Sequence, residues 1–193
     1  MTMTAIPTKE IEFAHLLSFV VALSAFAGGL IHFNVIGDHA EFEVVAAGFG
    51  LMGAMQWVFA WRILTRPSRG TLGLGGLLHA GIATLWIASR TIGVPFVDGA
   101  LEPAAVGVAD LAANIFSVVV VGAAFLGLTI HRRDYPVGIS SSIVSRMKMA
   151  AVGLAVFVTV PALFAPHTHT HETVESHPAE ATHDHASPPS PGS

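Results

Sequence analysis

EVVAAGFGLMGAMQWVFAWRILTRPSRGTLGLGGLLHAGIATLWIASR, residues 43–90, decides the fold. It holds two apolar segments, Val44 to Trp61 and Gly70 to Ser89, neither containing an Asp, Glu, Lys or Arg. An α-helix rises about 1.5 Å per residue and the hydrocarbon of a bilayer is about 30 Å thick, so each segment is long enough to cross it. Between them, Arg62-Ile-Leu-Thr-Arg66-Pro-Ser-Arg69-Gly70 carries three of the chain's nine Lys and Arg residues. Its proline and glycine stop one helix and release the next. The reading is a transmembrane hairpin whose turn faces the cytoplasm, because Lys and Arg accumulate on that side.

The rest of the chain extends this pattern outward. Of the 193 residues, 52% are hydrophobic and 11% charged, too apolar a balance for a soluble domain of this size. The connection 34–43 carries Asp38, His39, Glu41 and Glu43, and the connection after Arg90 carries Asp98 and Glu102, both without Lys or Arg. Both are expected outside. His131, Arg132, Arg133, Arg146 and Lys148 mark a second inner turn. The predicted fold class is therefore all-α: a polytopic helical membrane protein with about five transmembrane helices, N-terminus inside and C-terminus outside. The spans fall at about 13–33, 44–64, 70–89, 104–130 and 148–165. The last is the shortest, with an apolar run of roughly 16–18 residues. Residues 1–12 form a cytoplasmic segment with no removable signal peptide expected, 13–165 the bundle, and 166–193 a His-rich extracytoplasmic tail. The predicted location is the cell membrane.

Whole classes of function drop out. The chain has no cysteine, which removes disulfides, thiolate metal sites, Fe–S clusters and cysteine nucleophiles. The formal charge of −4 arises largely in the tail, and with no basic face to neutralise phosphates, nucleic acid is not expected as a partner. No G-x-S-x-G, P-loop or H-E-x-x-H occurs, so catalysis has no positive support.

His32, Asp38, His39 and Glu43 after the first helix, Gln56 in the second, the run Trp86 to Phe96, and Glu102, Pro103 and Val106 to Asp110 resemble a family of uncharacterised actinobacterial integral membrane proteins. The resemblance covers about residues 14–130 and excludes the tail. It implies a helical membrane fold and carries no activity.

Three sets of residues are candidates for chemistry. In the tail, His167, His169, His171, His177, His183 and His185 alternate with four carboxylates. This composition builds no core and is expected to be disordered, and imidazole with carboxylate suits Cu, Zn, Ni or Co. At the outer end, His32, His39, Glu43 and Asp110 come from distant segments to about one depth, where a bundle can gather them around one ion. Asp110 is expected inside the fourth span, where a carboxylate needs a partner or a cavity. Arg90 offers a structural ion pair as the alternative to a metal. At mid-membrane, Gln56 and His79 lie at matching depths, and His79 shares a helical face with Ala83, Trp86 and Arg90. This polar seam is either a conduit, with Met52, Met55 and His79 as stations, or interhelical glue with the methionines as packing. His15 and His131 both fall at the inner surface, which makes a bis-His haem conceivable, though His131 opens a basic turn that favours water.

The functional expectation is a non-enzymatic membrane protein that binds a transition-metal ion at its outer face. The alternatives are an accessory subunit of an electron-transfer or oxidase-type membrane complex, partnered by other membrane subunits, and a purely structural helix bundle.

Overall fold

In the computed structural model, residues 8–95, 97, 101–130 and 141–165 are described. Asp98, His131 to Ser140 and the six tail histidines lie outside the described residues. All regular structure among them is helical: α1 (Thr8–Asn34), α2 (Glu43–Thr65), α3 (Arg69–Thr91), α4 (Val108–Ile130) and α5 (Ser141–Phe164), with a 3₁₀ turn at Gly37–His39 after α1. Each of the five is long and apolar enough to cross a membrane.

Local chemistry sets the helix ends. Pro67 cannot continue α2, and Ser68 then caps α3, its Oγ accepting from Thr71 N at 3.0 Å. At the far end of α3, Gly93 takes φ 72°, the left-handed conformation that glycine adopts freely after a helix. Two boundaries differ from the sequence expectation. The fourth helix starts at Val108 rather than near residue 104, which puts Asp110 in its first turn instead of deeper inside. The fifth starts at Ser141 and runs for 24 residues, so the expected shortest span is a full-length one. Arg146 and Lys148, at the edge of the span expected from the sequence, lie within the helix. Lys148 sets its ammonium 5.7 Å from the centre of the Phe19 ring of α1, within cation–π reach.

The first helix is the centre of the bundle. It packs against α2, α4 and α5, while α3 packs chiefly on α4. The α2–α3 hairpin, legible as a unit in the sequence, is sparsely packed within itself, since each arm has its own neighbour. Small residues permit the closest approach. A Cβ on Gly29 would stand 2.6 Å from Trp57 Cδ1, and one on Gly53 would stand 3.0 Å from Gly29 O. Trp57 closes this crossing, stacking on Phe26 with centroids 4.9 Å apart and donating from Nε1 to Phe26 O at 3.1 Å. In a bilayer, where lipid is as apolar as leucine, such close packing and interhelical hydrogen bonds carry much of the association.

Two apolar clusters share α1. One gathers Val21, Ala25, Phe59, Ile63, Leu72 and Val120; the other gathers Ala27, Ile31, Val35, Ala109, Phe116 and Ala162. The helices alternate in direction, so the ends of α1, α3 and α5 lie with the starts of α2 and α4. Asn34 ties two of these ends together, its Nδ2 donating to Leu163 O at 3.3 Å. Glu43, Arg90 and Asp110 stand at that end, and Arg62, Arg66, Arg69, Arg146 and Lys148 at the opposite one.

Candidate functional site

Two polar files face each other across α3 and α4. On α3, His79, Trp86 and Arg90 follow helical spacing, and on α4, Asp110, Asn114 and Ser117 do the same. The helices are antiparallel and the files meet in register. Arg90 Nη2 donates to Asp110 Oδ2 at 2.5 Å. Further along, His79 Nδ1 lies 3.2 Å from Ser117 Oγ. Ser117 donates its proton to Ala113 O at 3.2 Å, so its oxygen is left to accept from His79 Nδ1–H. Between these rungs stand Trp86 and Asn114. The indole Nε1 and the amide Oδ1, a donor and an acceptor, are buried without a hydrogen-bond partner among the described residues.

A third polar contact joins α1 to α2, where His32 Nδ1 lies 2.8 Å from Gln56 Oε1. An amide oxygen only accepts, so the proton sits on Nδ1 and Nε2 keeps the basic lone pair. His32 is 6% exposed and Gln56 is fully buried. Ser24 and Gly28, on the same face of α1, are buried with them, and a Cβ on Gly28 would meet Gln56 Nε2 at 3.1 Å. One turn beyond α1, His39 Nδ1 donates to Val35 O at 3.0 Å. The ring of Phe49 separates the two imidazoles, its centroid 5.8 Å from that of His32 and 4.8 Å from that of His39.

Of these groups, His32, His39, Phe49, Trp86, Arg90, Asp110 and Asn114 line a cavity of about 510 Å³ at the Asn34–Ala165 end of the bundle, within the range of about 300–1,000 Å³ that small-ligand sites occupy. Its wall is mostly apolar, with His32, His39, Arg90, Glu102, Asp110 and Asn114 as polar points. Met52 also lines it, whereas Met55 is exposed on the outside of α2.

The structure redistributes several residues that the sequence had grouped. Asp110 is the partner of Arg90, and its Oδ2 also accepts from Gly107 N at 3.3 Å. That contact reaches back to the start of its own helix, where the dipole favours an acid. Glu43 is exposed in the first turn of α2 and does not line the cavity. Among the described residues no three His, Asp or Glu side chains come together closely enough to hold a metal ion. The grouping of His32, His39, Glu43 and Asp110 around one ion is therefore not formed by the bundle. Gln56 and His79, whose matching depths would allow them to touch, are bonded instead to His32 and Ser117. Their depths match, but α2 turns its polar face to α1 and α3 turns its own to α4. His15 is exposed near the start of α1, and its suggested haem partner His131 lies outside the described residues.

Ser117 and Asn114 were missed. The signal was present, since Asp110, Asn114 and Ser117 share the 4-3 spacing that singled out the α3 file. No protein family, curated protein or solved structure matches this chain.

Proposed function

We propose that this chain is an integral protein of the cell membrane that binds a transition-metal ion, Cu, Zn, Ni or Co, at its extracytoplasmic end. The N-terminus lies inside and the tail outside. The charge distribution supports this orientation: Arg62, Arg66, Arg69, Arg146 and Lys148 gather at one end, while Asp38, Glu41, Glu43 and Glu102 stand at the other.

The observation that carries the metal reading is the state of His32. Its Nδ1 is held by Gln56 Oε1 while the residue lines the cavity, and metal-ligating imidazoles are oriented in this way by an acceptor on the far nitrogen. His39, on the same cavity, has its Nδ1 donated to a backbone carbonyl. The Arg90–Asp110 pair neutralises the one cationic side chain in the wall, which removes a charge that would repel an ion.

Metal analysis of purified protein tests the reading. Full-length protein dialysed against Zn(II) is expected to retain stoichiometric metal, and a chain ending at Ala165 or carrying His32→Asn to retain less. Equal trace metal in all three and in a buffer blank refutes it. Orientation is tested separately with a C-terminal epitope: protease added to intact cells is expected to remove it, and protection until lysis refutes the topology.

A further inference from the structure

Trp86 lies one turn before Arg90 on α3, and Asn114 one turn after Asp110 on α4. The helices run antiparallel and the Arg90–Asp110 pair fixes their register, so the indole and the amide stand opposite one another. They do not bond each other. Trp86 Nε1, Asn114 Oδ1 and also Arg90 Nε are buried without a hydrogen-bond partner among the described residues, and all three residues line the cavity. Burying a polar group unpaired is costly. Two donors and one acceptor on one wall therefore define what relieves them: a group with two lone pairs and one proton, which is a hydroxyl.

Other head groups leave part of this set bare. A carboxylate, ether or ketone only accepts, and so gives Asn114 Oδ1 nothing. An ammonium only donates, and so gives Trp86 and Arg90 nothing. Arg90 and Asp110 neutralise each other, which leaves this wall without net charge to draw in an ion. A water molecule could also bond these atoms, but it gains nothing from the apolar remainder of the cavity, where Ile31, Phe49, Met52 and Ile82 offer contact to a hydrocarbon body.

The cavity also has a side entrance. Val44 on α2, Leu85 on α3 and Val108 on α4 line it and are at the same time exposed on the outside of the bundle. Between the first two, α2 and α3 pack sparsely on each other. In a bilayer the outside of the bundle is hydrocarbon, so a molecule dissolved in the membrane reaches the cavity without crossing water.

We propose that this cavity binds an uncharged lipid alcohol drawn from the bilayer. The hydroxyl bridges Trp86 and Asn114 beside Arg90, and the hydrocarbon chain leaves between α2 and α3. The inference rests on the membrane embedding of the bundle and not on His32, so it stands or falls apart from the metal reading.

The test uses farnesol, its methyl ether and farnesoic acid in ionised form, titrated into full-length protein in detergent and read as a rise in melting temperature by mass action. Farnesol is expected to stabilise saturably, and the ether to bind at least about tenfold more weakly, because it leaves Asn114 Oδ1 unpaired. Asn114→Leu is expected to abolish the preference for alcohol over ether. Trp86→Phe is expected to weaken both ligands alike, since both accept from Nε1. Each variant removes an unpaired buried group, so the unliganded melting temperature is expected not to fall, whereas a purely structural role would lower it. Equal binding of alcohol and ether to the parent protein, or a preference that survives Asn114→Leu, overturns the proposal. Tightest binding of the carboxylate would make Arg90 an anion site and overturn it too. No shift with any of the three would leave the polar groups to water alone, which is equally fatal.

Discussion

Asp110→Leu probes the contact that pins α3 to α4 at the cavity. Removing one partner of a buried ion pair costs about 3–5 kcal/mol, because the other charge is left without compensation. The side chains of Arg90 and Asp110 are 15% and 28% exposed, so water reaches the survivor and the cost falls to roughly 2–3 kcal/mol. The two single changes are not equivalent. Asp110→Leu strands a guanidinium that does not lose its proton, and also deletes the contact from Gly107 N. Arg90→Leu leaves a carboxylate at a helix start, where the dipole favours it. The order of destabilisation is therefore Asp110→Leu, then Arg90→Leu, then the double leucine variant. The double variant keeps only the loss of the Gly107 contact, about 1 kcal/mol. At about 2–4 °C per kcal/mol for a chain of this length, Asp110→Leu is expected to lower the melting temperature by roughly 4–12 °C and the double variant by about 2–4 °C. Thermal unfolding of the three variants beside the parent, in one detergent, measures this. If the double variant falls by the sum of the two singles, the pair contributes nothing and the reasoning is wrong.

Three further outcomes follow from the geometry. Gln56→Leu removes the acceptor that fixes the His32 tautomer, and Zn(II) affinity is expected to fall about 10–100-fold; an unchanged competition curve would show that Gln56 orients nothing. Ser117→Ala leaves His79 Nδ1–H buried without an acceptor and is expected to cost about 1–3 kcal/mol, read as a lowered melting temperature that a further His79→Leu change partly restores. Gly75→Ala places a methyl inside the ring of Phe59 and is expected to destabilise by about 1–3 kcal/mol. By contrast, a Cβ on Gly81 meets nothing within 4 Å, and Gly81→Ala is expected to stabilise by about 0.5–1 kcal/mol; equal effects at the two glycines would contradict the packing.

The five helices were legible because membrane length imposes a long charge-free run, and such runs are visible one residue at a time. Their ends were less so. Hydropathy counted Ala104, Ala105 and Val106 into the fourth helix, although Gly107 and Asp110 together carry the reach-back contact that marks its start at Val108. The charges Arg146 and Lys148 read as an edge because a sequence does not show that the Lys148 ammonium meets the ring of Phe19 on a neighbouring helix. Depth was readable for Gln56, His79, Arg90 and Asp110, since it depends only on counting. Direction around each helix axis was not, because it depends on which helix packs on which. That is why Gln56 and His79, at matching depth, make two separate bonds, to α1 and to α4. The four-residue metal grouping failed for the same reason: matching depth placed Glu43 at the right end, but on the wrong side of its helix.

The centrality of α1 bears on how the molecule is made. The helix α1 precedes α2, α4 and α5 in the chain and packs on all three, so its polar face, Ser24 and His32 included, gains its amide partner only once α2 brings Gln56. The α3–α4 pair brings its own internal bonds and joins an existing α1–α2 unit across few contacts with α2. Because α2 and α3 pack sparsely on each other, the Pro67 turn bears little of the packing, and severing the chain there is expected to leave two halves, α1–α2 and α3–α5, that complement when co-expressed.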